Sequence, residues 1–304
     1  MRLVAISGGT GSAKLVRGLA AVVPQMTVVA NPGDNLWMHG LYVCPDIDIV
    51  TYTLAGIADR SKGWGIDHDS FYTLGQLEAM GEPAWFRLGD RDLAISIVRT
   101  ELLRRGHSLT SVTSEVCNRL GVVQKVLPAT DEPLETHILT DEGEMHLQDF
   151  WVKNAGRPKV MGIRYEGAPR ARPSTQVVEA LKRAEVVVIC PGNPVTSIGP
   201  ILSLRGMKKL LTGIDSTVLA VSPMVGTAPV SGPAGVFLKA VGARPDSVGV
   251  AGLYKGLVDR FFIHPADSSM KGEIERMGMT AVATDTIMGD ESSEVRLARE
   301  LASI

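Results

Sequence analysis

Ser7-Gly8-Gly9-Thr10-Gly11-Ser12-Ala13-Lys14 stands between a short apolar run and an amphipathic repeat, and that order leaves few folds open. Leu3–Ser7 reads as a buried strand, and Leu15, Leu19 and Val22 recur at the spacing of one helix face. Thr27–Ala30 is then a second strand, so the chain opens with a parallel, right-handed strand-helix-strand crossover. A glycine turn in that position can present backbone N–H groups and a helix dipole to a phosphate, which makes Gly8, Gly9, Thr10 and Gly11 candidate phosphate-binding positions. The plainer reading is a tight turn that needs positive φ. Lys14, one turn inside the helix, either brings an ammonium to a phosphate or is a solvated helix residue. The turn is neither G-x-x-x-x-G-K-[ST] nor a full G-x-G-x-x-G, because Lys14 takes the third glycine's place; ATPase and dehydrogenase functions are therefore disfavoured.

Farther along, the texture changes twice. From Asp69 to about Leu120, helical stretches at Phe71–Ala79, Asp92–Arg104 and Ser108–Leu120 follow one another with no convincing strand between them. Val126–Leu127 and Glu135–Thr140 then begin a β-rich part, with a hairpin turn at Asp141-Glu142-Gly143-Glu144 and an extension at Val160–Tyr165. Alternation resumes with a helix at Gln176–Ala184, a strand at Val186–Cys190, a helix at Gly199–Leu211 and a strand at Thr217–Val221. Val248–Leu253 and Arg260–Ile263 read as late strands, Lys271–Met277 as a helix, Thr280–Ala283 as the last strand and Ser292–Ala302 as the C-terminal helix. The predicted class is α/β: a doubly wound, mostly parallel, Rossmann-like sheet. Residues 1–62 and 126–304 form its nucleotide-binding core, and residues 63–125 form a helical insertion.

A net charge of −2 over 304 residues offers no electrostatic footprint for nucleic acid or an anionic membrane, and neither is expected as a partner. Cys44, Cys117 and Cys190 lack C-x-x-C or Cys/His spacing and read as small buried hydrophobes in a reducing compartment. The apolar stretch before the glycine turn is too short for a secretory leader, and nothing later approaches the roughly 18 apolar residues of a spanning helix. A cytoplasmic address is the expectation.

Further polar loops follow the strands. Asn31-Pro32-Gly33-Asp34-Asn35 ends the second strand, where Asp34 can hold Mg²⁺, a ribose hydroxyl or only an Asx turn. In Pro45-Asp46-Ile47-Asp48 both acids share a face if the backbone is extended, whereas in a helix either can serve as a cap. Pro191–Pro200 and Ser222–Thr227, with Ser231-Gly232-Pro233, follow two more strands; with the glycine turn they make three loops that predict a single cleft.

In their order along the chain these segments resemble the 2-phospho-L-lactate transferase family of coenzyme F420 biosynthesis, found in methanogenic archaea and actinobacteria. The carriers are Ser7–Lys14, His39–Asp48 with Thr51–Gly56, Trp85-Phe86-Arg87-Leu88-Gly89-Asp90-Arg91-Asp92, Pro191–Pro200 and Ser222–Gly235. The resemblance implies small-molecule substrates: a donor, lactyl-2-diphospho-5′-guanosine or its enolpyruvyl counterpart, and an acceptor, 7,8-didemethyl-8-hydroxy-5-deazariboflavin. GMP leaves, Mg²⁺ is required, and a homodimer is expected. The resemblance also implies Asp48 and Arg87 as deazaflavin contacts, and it assigns the glycine turn, Asn193 and Ser197 to the GDP portion. Without it, Arg87 reads as a surface ion-pair residue near Asp90 and Asp92.

For the chemistry, Asp34 and Asp48 are candidates beside the metal or the nucleophile, with Asp34 the better metal ligand and Asp48 a candidate general base. The insertion is expected to contribute to the acceptor pocket, with Trp85 as a wall and with Trp64, Phe71 and Tyr72 mostly in the core. One departure matters: many relatives carry Asn-Thr-x-Asp-Asp where this chain has Asn31-Pro32-Gly33-Asp34-Asn35, so a second carboxylate is missing at Asn35. The nearest rival is the related gluconeogenesis-factor family, a nucleotide-sugar-binding regulator that shares the Gly-Gly-Thr-Gly turn. An NAD-dependent oxidoreductase is disfavoured because Ala30 and Asn31, not an acid, end the second strand.

Overall fold

The structure, a computed structural model, describes residues 1–303. Seven parallel strands form the central sheet in the spatial order Thr280–Ala283, Arg260–Ile263, Thr217–Val221, Val186–Ile189, Leu3–Ser7, Thr27–Ala30 and Lys125–Pro128. The chain winds one way from Leu3–Ser7 to Lys125–Pro128, then crosses back and winds the other way from Val186–Ile189. This is the α/β, doubly wound, Rossmann-like class expected from the sequence. The reversal opens a crevice beyond the carboxyl ends of Leu3–Ser7 and Val186–Ile189.

Successive strand side chains face opposite sides, so Val4, Ile6, Val187 and Ile189 enter one core while Leu3, Ala5, Val186 and Val188 enter the other. With both faces covered, these strands read as unbroken apolar runs. On the second face the Gly9–Val22 helix lies against Glu291–Ala302 and Pro45–Leu54. A Cβ at Gly18 would sit 2.4 Å from the Glu294 carbonyl oxygen, so a glycine sets how closely Gly9–Val22 approaches Glu291–Ala302.

Between Thr27–Ala30 and Lys125–Pro128 come an antiparallel pair, Leu36–Met38 with Leu41–Val43, the helix Pro45–Leu54, and the helices Tyr72–Ala79, Asp90–Arg104 and Leu109–Arg119. Val126–Leu127 joins the main sheet, whereas Glu135–Thr140 belongs to a separate antiparallel sheet between Gly143–His146 and Val160–Glu166. No described helix is long and apolar enough to cross a membrane.

Three local expectations are corrected. Val248–Leu253 is not a strand but lies in the helix Ser247–Leu253, which Asp246 caps by accepting from the Gly249 N–H at 2.9 Å. A short, mostly buried apolar run carries no period that separates strand from helix. Gly199–Leu211 is two helices, Gly199–Ser203 and Met207–Thr212, broken where Gly206 takes φ +91°. Trp64, Phe71 and Tyr72 stay out of the core: Trp64 is exposed in a loop, Phe71 is half-buried, and Tyr72 is 82% exposed on a helix that buries no residue.

Candidate active site

A cavity of about 590 Å³ occupies the crevice. Its polar end begins at the glycine turn, where Gly8 ends the first strand in an extended conformation and Gly9, at φ +74°, starts the helix. Gly8 has no side chain to cap this helix and no acid lies in its first turn. Its N-terminal dipole faces the cavity beside Asp46, which accepts a hydrogen bond from the Gly9 N–H. A Cβ at Gly8 would lie 2.8 Å from Asp46 Oδ2 and 2.9 Å from the Ser197 carbonyl oxygen, and one at Gly192 would lie 2.5 Å from the Gly8 carbonyl oxygen. The two loops at the switch point thus meet backbone to backbone, an approach that glycine permits.

The second loop carries Asn193 and Ser197 into the same wall. Asn193 Oδ1 accepts from the Val195 and Thr196 N–H groups at 3.0 and 3.2 Å, and its Nδ2 is buried with no partner. The Tyr165 hydroxyl donates to the Val195 carbonyl at 2.7 Å, so the small sheet fixes the loop. The third loop, after Thr217–Val221, adds Pro223 and Ser231–Ala234. All three predicted strand-end loops line one cavity.

Because Pro45–Leu54 is helical, Asp46 and Asp48 point about 200° apart rather than along one face. Asp46 turns to the loop after Thr27–Ala30, where Asn31 Nδ2 donates to both Asp34 Oδ1 and Asp46 Oδ2 at 2.8 Å. Gln148 Nε2 donates to Asp34 Oδ2 at 3.2 Å. Burial, and then the neighbouring Asp46, pushes the Asp34 carboxyl well above its ordinary value; burial raises Asp46 to about 6 against the hydrogen bonds from Asn31 and Gly9. Asp46 thus stands beside Asp34 through Asn31, while Asn35 donates to the Tyr42 hydroxyl at 3.2 Å.

Asp48 turns the other way. Its Oδ1 pairs with Arg99, which is 2% exposed and also donates to the Tyr42 carbonyl at 3.2 Å; its Oδ2 is buried without a partner. Burial pushes the Asp48 carboxyl up and Arg99 opposes it. Beside this pair, in the first turn of Asp90–Arg104, Asp92 Oδ1 accepts from the Tyr52 hydroxyl at 2.5 Å. Burial, then the charge of Asp48, raises Asp92 to about 7.

Part of the cavity wall is aromatic, with Trp64, Trp85, Phe86 and Trp151 in it. Trp85 meets Phe86 edge to face with centroids 5.8 Å apart. Arg87 lines the cavity with its guanidinium carbon 4.8 Å from the Phe71 ring centroid, and it forms no ion pair among the described residues. The surface ion-pair alternative fails because Asp90 is engaged by Ser70, Tyr72 and Thr73, and Asp92 by Tyr52.

Lys14 is not brought to this cavity. Its Nζ donates to the Met288 carbonyl at 3.1 Å, and it borders a separate hollow of about 260 Å³ across Thr10 and Gly11, because its helix position faces the C-terminal segment. The other candidates, Gly8, Gly9, Thr10, Gly11, Asp34, Asp48, Trp85, Arg87, Asn193 and Ser197, line one cavity. Asn31, Tyr52, Arg99 and Gln148 are groups that the sequence did not single out for a role, and it gave Asp46 and Asp92 only a capping and an ion-pairing one. Asp46 and Asp92 lie inside the motifs quoted above, but nothing local to those motifs says which way either carboxylate turns.

A family model described as 2-phospho-L-lactate transferase CofD matches residues 3–300. Among similar proteins, the 2-phospho-L-lactate transferase of Methanosarcina mazei is 40% identical over 304 residues, covering 99% of this chain and 98% of its own. That of Methanopyrus kandleri is 43% identical over 305 residues, covering 100% and 97%. A phosphoenolpyruvate transferase of Streptomyces griseus is 38% identical over 308 residues, covering 99% and 97%. A solved UPF0052-family protein of Bacillus halodurans superposes with a TM-score of 0.66 at 15% identity, covering 99% and 98% of the two chains, a likeness of fold.

Proposed function

The chain belongs to the 2-phospho-L-lactate transferase family, enzymes of coenzyme F420 biosynthesis, and on that premise we propose that its cavity joins a guanosine diphosphate-linked donor to a deazaflavin alcohol. The donor is lactyl-2-diphospho-5′-guanosine, the acceptor is 7,8-didemethyl-8-hydroxy-5-deazariboflavin, and the products are the coenzyme form without its glutamate tail and GMP. The observation that carries this reading is one cavity lined both by the glycine turn with Asn193, whose Nδ2 is buried without a partner, and by Trp85, Phe86 and Arg87. In-line attack needs both substrates in one enclosure, and positioning supplies much of the rate.

At the polar end, the dipole of the Gly9–Val22 helix, Asn193 Nδ2 and Ser197 receive the diphosphate. Asp34 and Asp46 suit Mg²⁺: two buried carboxylates share one neutral amide donor, and no group of three or more metal-ligating side chains occurs among the described residues. Mg²⁺ commonly takes one or two protein carboxylates and keeps water and phosphate for the rest. When bound, the ion neutralises diphosphate charge. At the other end, Trp85 and Arg87 hold the tricycle, Asp48 with its partner Arg99 forms the polar floor, and residues 63–125 furnish most of that wall. Arg87→Ala is expected to raise the acceptor KM about tenfold or more while leaving GDP affinity unchanged.

The test is turnover. Purified protein, the deazaflavin alcohol, Mg²⁺ and either lactyl or enolpyruvyl diphosphoguanosine are combined, and the deazaflavin product and GMP are followed by chromatography. Equal amounts of both products support the reading, and the preferred donor distinguishes the two activities named among the relatives. Tight GDP binding with no product from either donor would replace it with a nucleotide-binding regulator. Light scattering tests the accompanying expectation of a homodimer.

A further inference from the structure

We propose that Asp92, not Asp48, accepts the proton of the attacking hydroxyl, an assignment that rests on the transfer reaction above. Four carboxylates line the cavity: Asp34, Asp46, Asp48 and Asp92. Asp34 and Asp46 are tied together through Asn31 at the diphosphate end. Asp48 is committed to Arg99, which is itself buried, so a proton arriving on Asp48 would strand a guanidinium in the interior. Asp92 has no cation of its own. Its Oδ1 is held by the Tyr52 hydroxyl at 2.5 Å, and among the described residues no group donates to its Oδ2. The charged and titratable groups around it are Asp48 and Tyr52 from Pro45–Leu54, Arg99 farther along its own helix, and Asp69 in the preceding loop. A proton on Asp92 relieves its repulsion with Asp48 and leaves the Asp48–Arg99 pair intact.

In the step itself, the acceptor hydroxyl oxygen forms a bond to the phosphorus that carries lactate while the bond from that phosphorus to the GMP oxygen breaks. GMP leaves with the electron pair, and the hydroxyl proton passes to Asp92 Oδ2, from which it returns to solvent. Tyr52 is the positioning residue, because its hydrogen bond orients the carboxylate and holds down its basicity.

The experiment measures turnover against pH for the wild type, Asp92→Asn and Tyr52→Phe with lactyl diphosphoguanosine, the deazaflavin alcohol and Mg²⁺, alongside GDP titration and thermal midpoints. The wild type is expected to gain activity as pH rises through about 7. Asp92→Asn should lose about 10²- to 10⁴-fold in kcat and lose that rising limb, with GDP affinity and the thermal midpoint preserved. Tyr52→Phe should move the limb to higher pH. An Asp92→Asn enzyme within tenfold of wild type, or one that keeps the limb, overturns the assignment. A parallel loss of kcat, GDP affinity and thermal midpoint would make Asp92 structural and overturn it as well. A wild type that makes no product brings down the transfer reading instead, and the assignment with it.

Discussion

Gly8 illustrates how a single residue can be both legible and underdetermined. Its place between strand and helix marked a phosphate turn, but only the folded chain reveals that it also has to admit Asp46 Oδ2 and the Ser197 carbonyl, each within 3 Å of where a Cβ would stand. Gly8→Ala must therefore move backbone or a carboxylate; we expect a stability loss of about 1–3 kcal/mol and GDP affinity weakened at least tenfold, measured by calorimetric titration. Arg99 is the opposite case, since nothing in its surroundings along the sequence distinguishes it from an exposed helix arginine. Arg99→Met would leave Asp48 buried without its counter-charge and should cost about 3–5 kcal/mol, read from urea unfolding. Arg99→Met with Asp48→Leu should recover much of that loss, because it is the unpaired charge and not the missing bond that destabilises most.

At the scale of elements, short apolar runs were rightly read as strands in the main sheet and wrongly so at Val248–Leu253, where no polar period marks the helix. Ser247–Leu253 carries no polar face, so its helical state is set by the Asp246 cap and by the helical path the chain takes beside the sheet. Asp246→Ala should lower stability by about 1 kcal/mol, measured by thermal or urea unfolding. The helix Pro45–Leu54 matters more for function. Left undecided between extended and helical readings, Pro45-Asp46-Ile47-Asp48 had no defined facing; as a helix it sends Asp46 to Asn31, which it shares with Asp34, and Asp48 to Arg99.

The whole molecule gathers four buried acids around that cavity, and their protonation is linked to stability. Asp46 at about 6 and Asp92 at about 7, with Asp34 also raised, retain protons in the folded chain at pH values where the unfolded chain, near 4, has released them. The folded state is therefore favoured as pH falls, and stability declines as pH rises from about 4 through 7. With a chelator present, the thermal midpoint should be higher at pH 5 than at pH 8. Mg²⁺ should reverse much of that difference, raising the midpoint more at pH 8 than at pH 5, and Asp34→Asn or Asp46→Asn should remove the metal response. By itself the sequence determined the doubly wound class, the switch-point cleft and the glycine turn, because each is written in contiguous, periodic patterns a few residues long. Which acids meet was decided by tertiary structure alone. The partners are Asn31 with Asp46, Asp48 with Arg99 and Tyr52 with Asp92, separated along the chain by 15, 51 and 40 residues. Whether such groups touch depends on the phase of each helix and the way the elements dock, which no local pattern encodes.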